Sequence, residues 1–312
     1  MNKLSTLFIA LLLLTAACDK STKKTPNGFE YKVLKAGNGV KPKVGEILVF
    51  NYTLKDSKDS VWSETYKNGM AAAVMIADTS ALKKENGMVQ MFRELAVGDS
   101  VKAEMLVTKF FKDIVGGPIP PDSKIDSTLN VAYFVTVTEI TDREKYMTKQ
   151  REAMEKKMTE QLGKDTVAID QFLTEKGISA QKTASGIRYV ITQPGKGNNA
   201  VTGENVSVNY TGYLLNGKYF DTSVKEIAQE KGLYDARREP YKPFDLVVDR
   251  SNVIRGWHEA LKLMNKGSKG TFYIPSTLGY GPQRMGEVIE ENSILVFDIE
   301  MVDIKKGNPE NQ

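Results

Sequence analysis

The sequence is short of the two side chains from which most covalent and metal-bound frameworks are built. Its 312 residues include one cysteine, Cys18, and one histidine, His258. A disulfide within the chain is therefore excluded, and a metal cluster of His and Cys ligands is not expected. No cofactor is called for. Charge of one sign is lacking too: 43 Lys and Arg stand against 39 Asp and Glu, a net +4. These charges are interspersed, so there is no footprint for nucleic acid. The apolar run Leu7 to Leu14 is too short for a good membrane span. What is present is ordinary for globular protein, with 41% apolar and 26% charged residues. The length suits about two domains.

The first residues have the form of a secretory signal peptide. A basic start (Met1-Asn2-Lys3) precedes the apolar run, and small residues (Thr15-Ala16-Ala17) close it. Cys18 follows directly and resembles the acceptor of a bacterial lipobox, with Thr15 in place of the preferred Leu. That resemblance implies a lipid anchor on Cys18 and a place in the cell envelope, facing the periplasm or the surface, with the outer membrane favoured. Residues 1–17 are assigned as signal and 18–27 as a lipidated tether, with Asp19 to Thr25 polar.

The remainder repeats. Gly28-Phe29-Glu30-Tyr31 resembles Gly186-Ile187-Arg188-Tyr189, and Asn51-Tyr52-Thr53 resembles Asn209-Tyr210-Thr211. These pairs lie 158 positions apart, and the offset grows to 169 by Gly87 and Gly256. The second copy therefore has the longer loop between those points. Glu46 to Tyr52 and Glu204 to Tyr210 alternate as half-buried strands do. Leu215-Asn216-Gly217-Lys218 predicts a hairpin turn, since Asn-Gly suits the primed types, and Ser293 to Ile304 predicts a long strand. Gly256 to Met264 predicts a short helix with Trp257, Ala260, Leu261 and Met264 on one face. One helix against an antiparallel sheet is an α+β architecture. The copies are bounded at 28–141 and 181–306, with a tail at 307–312.

Residues 142–180 differ. Met147, Met154, Met158 and Leu162 recur at helical spacing, as do Ile169, Phe172 and Leu173. Two helices joined near Gly163 and stopped by Gly177 are expected. The segment reads as a plain linker, or as a homodimer face or client-holding surface.

Six blocks in the second copy carry chemistry in combination. They are Tyr210-Thr211-Gly212, Gly217 to Asp221, Pro243-Phe244, Val253 to Trp257, Gly279-Tyr280-Gly281 and Leu295 to Asp298. In order, spacing and residue type they resemble the FKBP (FK506-binding) family of prolyl isomerases, over roughly Gly186 to Lys306. The resemblance implies two FKBP-like domains, the first divergent. It implies a peptidyl-prolyl cis-trans isomerase acting on X-Pro bonds of exported proteins without a nucleophile or metal. Trp257 is then the pocket floor, and Tyr210, Phe220, Phe244, Val253, Ile254 and Phe297 its walls. Tyr280 donates its hydroxyl to a substrate carbonyl, and Asp221 is the polar residue at the rim. Tyr210, Phe220, Asp221 and Tyr280 form the catalytic set. Val288 and Ile289 match an apolar pair on the loop before the last strand. The competing readings are a non-catalytic, chaperone-like binding lipoprotein and a structural envelope lipoprotein.

Three features depart from the family pattern. The loop Thr222 to Tyr241 is long and charged, placed to cover or narrow the pocket. The tip around Gln283 to Glu290 is acidic and lacks a histidine, and Leu278 precedes Gly279. His258 reads as a surface residue without a catalytic role. In the first copy Tyr52 is kept, but Trp62, Ser63, Met88 and Tyr133 stand where Phe220, Asp221, Trp257 and Phe297 stand. With no Gly-Tyr-Gly there, this copy is expected to lack isomerase activity and to hold clients, mediate dimers or act as a spacer.

Overall fold

The computed structural model describes residues 21–306 apart from 69, 79 and 81–84. The signal peptide, Cys18 and the tail 307–312 lie outside the described residues. The chain divides into two units, Met1–Arg151 and Glu152–Gln312.

The first unit carries β1 (Thr22–Lys24), β2 (Glu30–Lys35), β3 (Ile47–Asp56), β4 (Val61–Glu64), α1 (Thr65–Asn68), β5 (Ala72–Met75), α2 (Gly87–Glu94), β6 (Ser100–Leu106), α3 (Val107–Phe110) and β7 (Asn130–Thr141). A π-helical turn, Phe111–Val115, continues α3. The sheet order is β1-β2-β6-β7-β3-β4, with β5 also on β3. Thr22–Lys24, expected within the tether, are instead an antiparallel edge strand on β2. All three side chains are exposed, so no apolar alternation marks the strand and backbone hydrogen bonds carry it.

The second unit continues with α4 (Arg143–Glu175), whose residues divide between the units at Arg151. Then come β8 (Gln181–Lys182), β9 (Arg188–Gln193), β10 (Lys196–Asn199), β11 (Asn205–Leu214), β12 (Tyr219–Thr222), α5 (Lys225–Glu230), β13 (Phe244–Val247), α6 (Arg255–Leu261), β14 (Asn265–Lys266), β15 (Lys269–Ile274) and β16 (Leu295–Lys305). Its sheet runs β12-β11-β16-β15-β9-β8, with β13 on β11, and β10 pairs with β14. This is the order of the first unit, strand for strand. Irregularities in register fall at Val49/Phe50 and Leu54/Lys55 in one copy and at Ser207/Val208 and Gly212/Tyr213 in the other. Both pairs sit at the 158-residue offset, so the duplication extends to the bulges.

The period of two along β15 and β16 sorts their side chains between two faces. Phe272, Ile274, Leu295, Phe297 and Ile299 join the core on the α6 side, with Trp257, Ala260, Leu261 and Met264. Tyr273 and Val296 point the other way, against Ile169 and Leu173 of α4. Gly256 lets α6 approach the sheet, because a Cβ there would lie 2.4 Å from Ile274 Cγ2.

Two expectations are corrected, one for the linker and one for a turn. There is one continuous helix, not two joined near Gly163. A glycine inside a helix costs about 1 kcal/mol, and the burial of Ile169 and Leu173 with the anchoring of Asp165 and Asp170 outweighs it. Asp165, 3% exposed, accepts from Ser276 N–H at 2.8 Å, Ser276 Oγ at 2.6 Å and Gln161 Nε2 at 2.7 Å. Asp170 accepts from Arg188 Nε and Nη2 at 2.9 and 2.8 Å. The helix ends as foreseen near Gly177, at φ +66, with Ile178 N–H bonded to Leu173 O at 2.9 Å. The turn at Leu215–Lys218 is also not a two-residue primed turn. It is a four-residue connection with Gly217 at φ +84, where Asn216 Oδ1 accepts from Lys218 N–H.

Candidate active site

Strand β11 and helix α6 bring Tyr210 and Trp257 together at the core edge. Their rings meet edge to face at 5.0 Å between centroids. Phe297 of β16 meets Trp257 at 5.3 Å and 89°, and Phe220 of β12 meets Phe297 at 5.6 Å and 81°. Phe244 of β13 reaches Trp257 at 6.0 Å and 78°. Edge-to-face packing suits the ring quadrupoles and leaves a concave cup. The cavity it forms, open on one side, is about 470 Å³. All eleven pocket positions expected from the sequence line it: these five rings with Asp221, Val253, Ile254, Tyr280, Val288 and Ile289.

One glycine makes room for the cup. A Cβ on Gly212 would lie 2.5 Å from Phe220 Cε2 and 2.8 Å from Phe297 Cε1. Any side chain there would push both rings into the cavity.

The polar rim is organised around Asp221. Tyr210 Oη donates to its Oδ2 at 2.5 Å, and Arg238 Nη1 donates to its Oδ1 at 2.7 Å. Burial, then the Asp221 carboxylate, hold the Tyr210 phenol well above its usual value. Tyr280 is raised by the same two causes in the same order. The Tyr280 hydroxyl makes no hydrogen bond to another described residue. It is a protonated donor facing a largely apolar hollow.

Asn252 completes the lining with Met285, Gly286 and Glu287 of the acidic tip at 283–290, whereas the pairing of Arg238 with Asp221 was not foreseen. Arg238 lies 17 residues from its partner in the long charged loop expected to cover or narrow the pocket, so no local spacing signals the pair. That loop does not cover the cavity: none of residues 222–241 lines it. His258 is half-buried rather than on the open surface. Its Nδ1 accepts from Asp249 N–H at 2.9 Å, and Nε2 lies 3.0 Å from Ser251 O, fastening the loop that leads to Val253 and Ile254.

In the first unit the matching place is packed with side chains. Tyr52 keeps a partner, with its hydroxyl 2.8 Å from Ser63 Oγ. Leu54, however, holds the position of Gly212 and is buried. It packs with Val107, Phe110 and Val131, against Tyr52, Trp62, Phe111 and Tyr133. The counterpart of the cup is thus filled by the unit's own side chains, which removes the expectation that this copy holds clients in a pocket of that kind.

An antiparallel sheet and one short helix thus hold an aromatic cup between them. The comparisons agree: residues 196–302 match the family described as FKBP-type peptidyl-prolyl cis-trans isomerase, and this segment is an FKBP-type domain. FkpA of Buchnera aphidicola, named an FKBP-type peptidyl-prolyl cis-trans isomerase, is 40% identical over 152 residues, 48% of this chain and 53% of its own. FkpA of Escherichia coli is 36% identical over 152 residues, 49% of each chain. The outer membrane protein MIP of Legionella longbeachae is 32% identical over 161 residues, 52% of this chain and 61% of its own. This chain spans about half the length of the curated relatives it matches. Among solved structures, FkpA from Escherichia coli aligns with a TM-score of 0.37 at 30% identity, covering 55% of this chain and 76% of that one.

Proposed function

We propose that the second unit catalyses cis/trans isomerisation of X-Pro bonds in exported polypeptides. The observation that carries the reading is the 470 Å³ cup of five aromatic rings with the unpartnered Tyr280 hydroxyl at its edge. A planar amide has partial double-bond character and a barrier of about 18–20 kcal/mol. At the half-rotated state conjugation is lost and charge separation falls. Water favours the planar form, and an apolar cup favours the twisted one, so binding is differential. Trp257 and its neighbours receive the pyrrolidine ring. Tyr280 donates to a carbonyl flanking it. Asp221, fixed by Tyr210 and Arg238, holds the rim in shape.

Cys18 is proposed to carry lipid and to tether the chain in the envelope, and the name of the Legionella relative fits that placing. A Cys18→Ala chain is expected in the soluble fraction; unchanged membrane fractionation sinks the anchor.

A protease-coupled assay on an Ala-Pro-Phe peptide tests the activity. Catalysis well above background is expected, abolished by Trp257→Ala together with Tyr280→Phe. A rate that the double substitution leaves intact refutes the reading.

A further inference from the structure

A second cavity, of about 400 Å³, opens beside the first, and Phe244 belongs to the walls of both. One side of its ring meets Tyr210 and Trp257, yet 41% of the residue remains exposed. Pro240, Tyr241 and Pro243 complete the apolar wall, and Ser223 and Asp245 lie among the polar groups at its edge. Part of this wall belongs to the stretch that is longer in the second copy of the repeat than in the first.

That stretch is held in one shape by its own contacts. Tyr234 and Tyr241 stack at 5.9 Å and 16°. Tyr241 Oη accepts from Asp235 N–H at 2.9 Å, and Glu239 accepts from Tyr234 Oη at 3.0 Å and pairs with Lys225 at 2.7 Å. Arg238 lies over the Tyr241 ring at 5.2 Å while reaching Asp221. Ordering a long loop costs backbone entropy, and an apolar wall turned to water returns none of it.

We propose that this second cavity is a subsite for the same polypeptide whose proline occupies the first, and that it takes an aromatic side chain about two residues from that proline. The proposal rests on the isomerase reading. Three observations select this occupant. Phe244 is a wall of both cavities, so they lie side by side. An extended chain advances about 3.3 Å per residue, so two residues carry it past one ring. The wall offers ring faces and proline rings, against which an aromatic side chain packs.

The test uses the full chain and a protease-free measurement of exchange on peptides Xaa-Leu-Pro-Ala-Zaa, with Phe or Ser at either end. Phe at one end is expected to lower KM about three- to tenfold relative to Ser, with kcat unchanged. Tyr241→Ala is expected to bring that ratio close to one. Comparing ratios cancels any effect of the substitution on Arg238. In the wild-type chain, the Phe peptide with alanine in place of proline is expected to shift the backbone amide signals of Tyr241, Lys242, Phe244 and Asp245. This arm stands even where Tyr241→Ala does not fold. Turnover of every peptide with equal KM for Phe and Ser at both ends overturns the subsite and leaves the isomerase standing. Amide shifts elsewhere but not at these four overturn it as well. Absence of turnover for all peptides removes both readings together.

Discussion

Gly212 and Leu54 occupy one position of the repeat, and the difference between them is four carbon atoms against two walls of the cup. Space for even one of these is missing at Gly212, where the Phe220 and Phe297 rings are already within 3 Å of a Cβ. Gly212→Leu is therefore expected to close the cavity. Isomerase activity should fall at least a hundredfold, while overpacking costs only about 1–3 kcal/mol of stability. A folded variant retaining a tenth of the wild-type rate contradicts this account of the cup. Tyr280 permits a finer test. Its burial and the nearby Asp221 raise its pKa above the ordinary 10, so the donor form persists through pH 9. Because the proposed mechanism transfers no proton, kcat/KM for wild type should be flat between pH 6 and 9. Tyr280→Phe should lower it about three- to tenfold, the worth of one hydrogen bond, at every pH in that range. A bell-shaped profile would speak for acid-base chemistry instead. The aromatic rings, Asp221, Val253 and Ile254 could be read from the sequence because each lies in a short block of fixed type. Arg238 could not, since what pairs it with Asp221 is the course of a long loop.

Helix α4 shows where elements were and were not readable. Spacing at Ile169, Phe172 and Leu173 announced a helical face, and the structure lays Ile169 and Leu173 against Tyr273 and Val296. Continuity through Gly163 was not announced, because it depends on partners more than a hundred residues away, such as Ser276 for Asp165. Strands β1 and β10 were hidden for a related reason: their side chains are exposed throughout and leave no pattern. The anchoring makes α4 part of the second unit's stability. Ile169→Ala is expected to cost about 3 kcal/mol, read as a lower denaturant midpoint in the transition reported by Trp257 fluorescence; an unchanged midpoint would mean that the helix is not docked. The Asp170 anchor adds a pH signature. The Arg188 guanidinium, with help from Lys182, holds its carboxyl at about 2. Unfolded, it titrates near 4. The folded value is the lower one, so this contribution is complete above about pH 4 and is lost as pH falls toward 2. The stability gap between wild type and Asp170→Asn should narrow over that window. A constant gap would show the pair to be without net effect.

At the scale of the whole molecule, one fold has been used twice with opposite fates for the same space. The duplication was legible from spaced identities, and the sheet order and bulges repeat as those spacings require. What sequence could not show was how the first copy fills its counterpart of the cup. Substituted wall positions suggested a degraded pocket; the structure instead shows an occupied one. In the first unit the chain after β6 turns into α3 and a π-helical turn, and this segment packs Phe110, Phe111 and Ile114 against Tyr52, Trp62 and Tyr133. In the second unit the chain after β15 carries Tyr280 to the edge of an open cup. Restoring the walls should then be insufficient. In a chain silenced by Trp257→Ala and Tyr280→Phe, the further changes Leu54→Gly, Ser63→Asp and Met88→Trp are expected to leave prolyl isomerisation at background. The segment after β6 still fills the place and no tyrosine hydroxyl is supplied. Recovery of even a few per cent of wild-type activity would show that wall residues alone make the site and that the segment from Val107 to Ile125 moves aside.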